Sequence, residues 1–517
     1  MYNYKSSFLA LCFLLIALTA SAQQKYWISF QSKDIENYNY EENLSLQAIQ
    51  KRINLNIPLS QYTDIPVSQL FKDSLISLGI ETKVTSKWLN AISANLTKYQ
   101  VDQLKTLGFV QSVDKITGSF QVAAVQTELN PKNYSITLEQ MKASAFVEEG
   151  LSGKNVKIGV IDAGFYTADR DPRLIHLFDE NKVKAQKDFV NPERTDLVET
   201  FVTNSDTHGK SVLEYLAGYY ISERFQTGLA VNADFYLART ENGDVEHRLE
   251  EDHWILAMEW MDSLGVRLIN TSLGYANHMD DPLENYKQEE MNGSTTRISK
   301  AAHIAVEEKG IFLVVSAGNE GGNPNWRIIS APADVQGVLS VGATNADNLS
   351  RNWYSSIGPD FNPYLKPNVS VYSPNGTSFS APAITGFMAC LMEKDSTLDN
   401  RALMEIVEKS GHLYPYGNNY IGYGVPQADI ALKIMADSST TIERNELVIE
   451  KDRVELVFKK NVKKGKIAVF HKSNLTRVVQ QEVLTLKKRK LILLRKPGIS
   501  FSTVQFEDQV IEVIWKD

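Results

Sequence analysis

From residue 156 to residue 341 short apolar runs alternate with amphipathic helical stretches, and this alternation confines the chain to few folds. Val156 to Ile161 is a continuous apolar run that ends at Asp162. Phe235 to Ala238, Arg267 to Thr271, Ile311 to Ser316 and Val338 to Val341 are runs of the same kind. Between them Trp254, Ile255, Met258, Met261 and Leu264 recur at helical spacing, and so do Ile298, Ala301, Ala302, Ala305 and Val306. Strands with no polar face, separated by helices, need a sheet covered on both sides. The reading is therefore an α/β domain with a doubly wound, mostly parallel sheet. Such sheets collect chemistry outside the carboxyl ends of their strands. Asp162, Asn270 to Gly274 and Ala317 to Asn319 all fall there.

The 517 residues exceed one ordinary domain, and the texture differs on either side of the alternating block. Residues 24–126 read as a small α+β unit. Tyr26 to Phe30 and Trp88 to Leu96 are strand-like, and Thr97 with Gln100 forms a capping box ahead of a helix. Val101, Leu104 and Leu107 lie on one face of that helix, which Gly108 closes before a strand from Phe109 to Val113. Thr127 to Ser135 reads as an exposed linker. From Thr441 onward short alternating runs predict a small antiparallel all-β domain: Leu447 to Ile449, Val454 to Phe458, Ile467 to Phe470 and Leu491 to Leu494. Lys463-Lys464-Gly465 is its predicted hairpin turn. The expected divisions are 1–22, 23–126, 135–437 and 441–517.

The first 22 residues carry a targeting signal. Lys5 supplies a positive start, Phe8 to Leu18 a short apolar run, and Ala20-Ser21-Ala22 small residues for cleavage. Secretion is expected, with extracellular, cell-surface or periplasmic location, and no later stretch is long and apolar enough to span a bilayer. Removal of Cys12 leaves Cys390 alone, so the mature chain cannot form an internal disulfide. Cys390, between Ala389 and Leu391, reads as a packing residue. The formal net charge of -8 argues against nucleic acid as the main partner. Residues 441–517 depart from that balance, with 17 Lys and Arg against 10 Asp and Glu. A solvated basic surface is favoured there over a binding surface.

Peptide-bond hydrolysis at neutral pH needs an activated nucleophile, a base, a group to orient the base, and donors for an oxyanion. Gly376-Thr377-Ser378-Phe379-Ser380-Ala381-Pro382 places a serine at the start of an apolar helix through Ile384, Met388 and Leu391, where a helix N-terminus favours developing negative charge. A Thr-Ser pair before a helix is ordinarily a plain N-cap, but the seven-residue string is far more specific. It resembles the nucleophile motif of the subtilisin-like serine proteases. Other parts follow in that family's Asp, His, Ser order. Val160-Ile161-Asp162-Ala163-Gly164 resembles the strand-end aspartate motif, and Asp206-Thr207-His208-Gly209 the histidine motif that opens a helix. Asn270-Thr271-Ser272-Leu273-Gly274 resembles the edge strand that pairs with substrate backbone, and Val315 to Glu320 the segment with the oxyanion asparagine. The serine lacks the glycine two residues later that the α/β-hydrolase elbow requires.

The resemblance implies a serine endopeptidase acting on protein or peptide substrates, with Ser378 as nucleophile, His208 as base, Asp162 orienting it and Asn319 in the oxyanion hole. Ser272, Leu273, Gly274, Ala317 and Gly318 are implied to bind substrate. Residues 23–126 resemble the family's propeptide, implying an intramolecular inhibitor and a self-processed zymogen; a regulatory or binding domain is the alternative. Three departures stand out: Lys210 and Ser211 follow His208-Gly209 where Thr and His are usual, and Ala163 replaces a Ser or Thr beside the aspartate. Lys210 motivates a second reading, a non-catalytic peptide-binding protein on the same scaffold, because a cation there would lower the histidine's basicity. No cofactor is expected. The acidic loop at Asp280, Asp281 and Glu284 could take calcium, but it lacks a ligand pattern and solvated charge is favoured. Histidines 176, 247, 253, 278, 303, 412 and 471 show no metal-ligand spacing. The C-terminal domain is read either as an accessory module or as a weak match to the sorting domains of bacterial outer-membrane export.

Overall fold

A computed structural model of the chain describes residues 23–516 apart from 37, 117–130, 202, 243–248, 278–284, 438 and 444. The expected signal sequence, residues 127–130 of the expected linker and the acidic loop at 280–284 thus lie outside the described residues. Backbone contacts divide the chain into two units, residues 1–43 with 60–117 and residues 44–59 with 118–517.

The first unit begins with β1 (Gln24–Phe30). The chain then leaves it for helix α1 (Leu46–Asn54), which belongs to the second unit, and returns for α2 (Gln69–Ser77), β2 (Thr82–Ser86), β3 (Ala91–Leu96), α3 (Lys98–Leu104) and β4 (Val110–Lys115). The sheet runs β2-β3-β1-β4 and every pairing is antiparallel. Ile28, Phe30, Leu75, Ile92, Leu96 and Leu104 fill its core. Thr97 and Gln100 make the predicted reciprocal cap on α3. Trp88 is buried in the turn before β3 rather than within the strand. β2 was not foreseen because Thr-Lys-Val-Thr-Ser shows a single apolar residue; as an edge strand it needs to bury little more than Val84 and Ser86.

The second unit is built on a seven-stranded sheet. After α4 (Pro131–Gln140) come β5 (Lys157–Asp162), β6 (Val183–Asp188), α5 (His208–Ala217), β7 (Asp234–Arg239), α6 (Leu249–Ser263), β8 (Leu268–Thr271), α7 (Arg297–Glu307), β9 (Phe312–Ser316), β10 (Leu339–Thr344), β11 (Val369–Tyr372) and α8 (Thr377–Lys394). The strand order is β11-β10-β9-β8-β5-β7-β6, with all six pairings parallel. The order reverses between β5 and β8, so a crevice opens beyond their carboxyl ends. Residues 377–392 of α8 are buried throughout, as befits a helix that is apolar all round. Cys390 is among them, its thiol pushed up by burial. Thr127 to Ser135 is not the open linker expected: its described part starts α4, and Tyr134 is buried.

Beyond α9 (Asn400–Lys409) and α10 (Ala428–Ala436), five strands form the C-terminal sheet: β12 (Glu446–Ile449), β13 (Arg453–Lys472), β14 (Val478–Leu494), β15 (Phe501–Phe506) and β16 (Gln509–Trp515). Their order is β12-β16-β15-β13-β14. The sheet is not wholly antiparallel, since β12 runs parallel to β16. Lys463, Lys464 and Gly465 lie within β13, and the hairpin turns instead at 473–477, closed by Ser473 N donating to Arg477 O at 3.0 Å. A glycine between charged residues reads as a turn, yet here the β13–β14 register slips beside it, which marks a bulge. The sheet is fixed to the rest of the unit: Ala468, Phe470 and Val478 pack with Leu413, Tyr420 and Ile421, and Val478 N donates to Asn419 Oδ1 at 2.9 Å. Among the described residues no helix is long and apolar enough to cross a membrane.

Candidate active site

Four neighbouring strands deliver the site. Asp162 is the last residue of β5, Arg239 the last of β7, Ser272 follows β8, and Ala317 follows β9. β8 itself is interior, paired to β5 and β9 as far as Thr271. The expectation of an edge strand therefore fits only its extension, Ser272 to Gly274, beyond the last ladder pair.

His208 opens α5, and its Nδ1 is 2.6 Å from Asp162 Oδ1. The same oxygen accepts the Ala163 N–H at 2.8 Å. Asp162 Oδ2 is buried without a hydrogen-bond partner among the described residues, in keeping with the lack of a hydroxyl at Ala163. Glycines allow this approach: a Cβ on Gly164 would lie 2.6 Å from Asp206 Cα, and one on Gly209 would lie 2.5 Å from Gly164 O. Real side chains do not tolerate such distances, so the backbones beside Asp162 and His208 approach this closely only because positions 164 and 209 are glycine.

Arg239, which sequence reasoning missed, ties these segments together. Fully buried, it donates from Nε to Ala163 O at 3.0 Å and lies 3.4 Å from Asp206 and 3.2 Å from Asp188. A cation closing an otherwise apolar run was the available signal, since a buried charge needs partners. Lys210 lies 3.5 Å from Asp171, within a cluster where Arg173 pairs with Asp171 at 2.7 Å and Glu214 at 2.9 Å. The cation that motivated a non-catalytic reading is thus engaged by a carboxylate. Glu214 also accepts the Tyr134 hydroxyl at 2.5 Å, and burial pushes its pKa up to about 7. Tyr134 packs on Tyr215, Tyr215 on Phe379, and Phe379 lies 5.7 Å from the His208 ring.

Ser378 is the second residue of α8, whose N-cap Gly376 has φ +150°. Its hydroxyl donates to Ser272 O at 3.3 Å, while His208 Nε2 is buried and has no hydrogen-bond partner among the described residues. Asn319 Oδ1 accepts from Thr377 N at 2.9 Å and from Thr377 Oγ1 at 3.2 Å. With its oxygen so held, the amide is fixed in orientation beside the Ser378 backbone. The Gly318 N–H is held as well, donating to Thr377 Oγ1 at 3.1 Å. Ser272 to Gly274 and Ala317 to Gly318 flank Ser330, whose buried hydroxyl would meet a Cβ on Gly274 at 2.1 Å. The arrangement brings together a carboxylate-oriented imidazole, a serine at a helix N-terminus and an oriented side-chain amide, the group types that nucleophilic acyl transfer requires.

A profile of the Subtilase family matches residues 153–424. The chain belongs to the subtilase family. As a subtilase it is a serine endopeptidase, and residues 25–133 match the Peptidase S8 propeptide domain of Bacteroidota. Subtilisin E of Bacillus subtilis is 26% identical over 367 residues, covering 68% of this chain and 84% of that one. Subtilisin DY of Bacillus licheniformis is 28% identical over 301 residues, covering 56% and 96%. Among solved structures, the epidermin leader peptide processing serine protease of Staphylococcus aureus is similar in fold, with TM-score 0.53 at 14% identity, covering 81% of this chain and all 100% of that one. Fervidolysin of Fervidobacterium pennivorans aligns at TM-score 0.52 and 15% identity, covering 94% and 70%.

The remaining expected features are scattered. His247 and His278 lie outside the described residues, with Asp280, Asp281 and Glu284. His253 lies 3.2 Å from Thr240 O, His412 accepts from Val425 N at 2.8 Å, and His471 lies 3.0 Å from Ser502 Oγ. His176 is buried and His303 exposed. Among the described residues no three His, Cys, Asp or Glu side chains are disposed to hold a metal ion.

Proposed function

We propose that this subtilase hydrolyses peptide bonds through an acyl-enzyme on Ser378 and is made as a zymogen that cuts itself free of its propeptide. The observation that carries the reading is the 2.6 Å bond between His208 Nδ1 and Asp162, with the His208 ring 5.7 Å from that of Phe379, the residue after Ser378. Asp162 holds the imidazole with Nε2 free to accept a proton and stabilises the cation that forms. On substrate binding the Ser378 hydroxyl turns from Ser272 O to His208 Nε2 and attacks the scissile carbonyl. Catalytic hydrogen bonds are often long or misaligned before substrate arrives. The Asn319 amide and the Ser378 N–H receive the oxyanion, His208 returns the proton to the leaving amine, and water then releases the acyl group. Ser272 to Gly274 and Ala317 to Gly318 line the substrate's path. The mechanism invokes no cofactor or metal. The amino-terminal signal implies export, with cleavage after Ala22.

Intact mass of the purified wild type beside Ser378→Ala, both expressed with the propeptide, tests this reading. Wild type is expected to lose roughly 100 residues after signal removal, a length set by the propeptide match, while the variant stays uncut. Two uncut proteins, with no fluorophosphonate label on Ser378, would overturn it.

A further inference from the structure

Helix α1 buries an unusual face. Ala48, Lys51 and Arg52, spaced i, i+3, i+4, are its buried residues, whereas Leu46 and Ile53 are exposed. A nine-residue helix is too short to be stable alone, so its order comes from what it touches. Its sequence lies within the propeptide match, yet residues 44–59 cluster with the catalytic unit.

The receiving group is Asp262 in the last turn of α6, which is itself fully buried. Lys51 Nζ lies 2.6 Å from Asp262 Oδ1 and donates to Val266 O at 3.3 Å. Arg52 lies 3.5 Å from Oδ2 and donates to Leu59 O at 3.2 Å. Lys309 also faces this carboxylate. Ser45, the N-cap of α1, donates to Ser263 O. The backbone is shaped to the segment as well. A Cβ on Gly265 would lie 2.5 Å from Gln47 O, and one on Gly310 would lie 2.3 Å from Ile57 Cδ1.

We propose that the surface around Asp262, Gly265 and Gly310 is a docking site for residues 44–59 of the cleaved propeptide, and that the Lys51–Asp262 ion pair is the latch that sets how long it stays. Cutting the chain between 117 and 130 removes the covalent link but none of these contacts. Departure must hydrate Asp262, Lys51 and Arg52 together. Removing Lys51 leaves the buried Asp262 without its closest cation, and removing Asp262 takes from Lys51 and Arg52 a carboxylate they share, losses that cost more than breaking an exposed pair. A competing segment without a cation at this point would bury Asp262 against fewer partners, so the site also discriminates. The proposal rests on the zymogen reading for the cut itself, not for which protease makes it.

The test uses the full-length Ser378→Ala precursor with a foreign endoprotease sequence placed within 117–130. After cutting, retention of the amino-terminal fragment is followed by size exclusion and intact mass, and its release rate by dilution. The fragment is expected to co-elute with the catalytic unit. It should leave at least about tenfold faster in Lys51→Met and Asp262→Asn, with Lys51→Arg restoring most of the retention. If Lys51→Met does not fold, Asp262→Asn against Lys51→Arg decides the question. Equal release rates in all variants, or immediate loss from the unmodified precursor, would overturn the latch. Because a foreign protease makes the cut, failure of self-processing leaves this result readable.

Discussion

Ser272 and Ser378 are joined by two hydrogen bonds running in opposite directions: the Ser272 hydroxyl donates to Ser378 O at 2.8 Å, and the Ser378 hydroxyl donates to Ser272 O at 3.3 Å. The first bond answers a defect in α8. Pro382 lies four residues after Ser378 inside the helix and has no N–H for that carbonyl. Ser272 replaces the missing donor, and it is itself held by Asn270 Nδ2 at 3.1 Å, with Asn270 accepting from Thr385 at 2.9 Å. The carbonyl that Pro382 leaves without a helical donor is thereby satisfied by the residue that follows β8.

Ser272→Ala should therefore strand a buried carbonyl and destabilise the catalytic unit by about 1–3 kcal/mol. The cost should be the same in wild-type and Ser378→Ala backgrounds, because the backbone carbonyl at 378 is present in both. Urea denaturation of the four proteins checks this. A cost that disappears with the Ser378 hydroxyl would mean that the bonded group is the side chain instead.

The parallel sheet was legible because β5, β7, β8, β9 and β10 are buried on both faces, which writes itself as uninterrupted apolar runs. The candidate site was legible because its motifs end strands or open helices, where backbone geometry demands particular residues. Contacts that join distant segments left no such trace. Tyr134 looked like part of a polar linker because Asn130-Pro131-Lys132-Asn133 carries turn residues, yet Pro131 serves as a first helical residue, where its missing N–H costs nothing. Arg239 and Asp262 are single charges whose partners lie far along the chain. β12 looked like any short antiparallel strand, because pairing direction is set by the partner and not by the run itself.

Tyr134 connects the start of the catalytic domain to the helix that carries His208. Tyr134→Phe keeps the ring on Tyr215 but removes the donor from Glu214, and should cost about 1–3 kcal/mol in stability. Tyr134→Ala also empties the ring's site and should cost about 3–5 kcal/mol. Thermal melts of both in the Ser378→Ala background would show it. No loss in Tyr134→Phe would mean that the hydroxyl contributes nothing beyond the ring.

Asn319 depends on Thr377 for its orientation. Thr377→Val keeps the backbone bond but removes the Oγ1 contacts to Asn319 and Gly318, so kcat should fall while KM changes little. Asn319→Ala should lose more, about 10²–10³ in kcat, a size taken over from the oxyanion donor of subtilisin. In kcat the double variant should be no worse than Asn319→Ala alone, since the threonine then has no oxyanion amide to position. Steady-state kinetics on a peptide anilide reads all three, and fully additive losses would refute the positioning role.

Lys366 gives the fold a pH dependence on the alkaline side. It is buried at 2% exposure, donates to Val338 O at 2.6 Å and to Asn368 Oδ1 at 3.1 Å, and burial lowers its pKa to about 7 despite Asp334 and Glu408 nearby. In the unfolded chain a lysine titrates near 10.4. Between those values the unfolded state holds a proton that the folded state has shed, so stability rises with pH across the window. Below about 7 both states are charged and the full penalty of burying the ammonium is present. The stability of the catalytic unit relative to Lys366→Met should accordingly increase by about 2–3 kcal/mol from pH 7 to pH 9.5. Denaturant titrations of both proteins in the Ser378→Ala background, which prevents self-digestion, measure that difference. Parallel stability curves over this range would show that Lys366 keeps its proton in the folded chain.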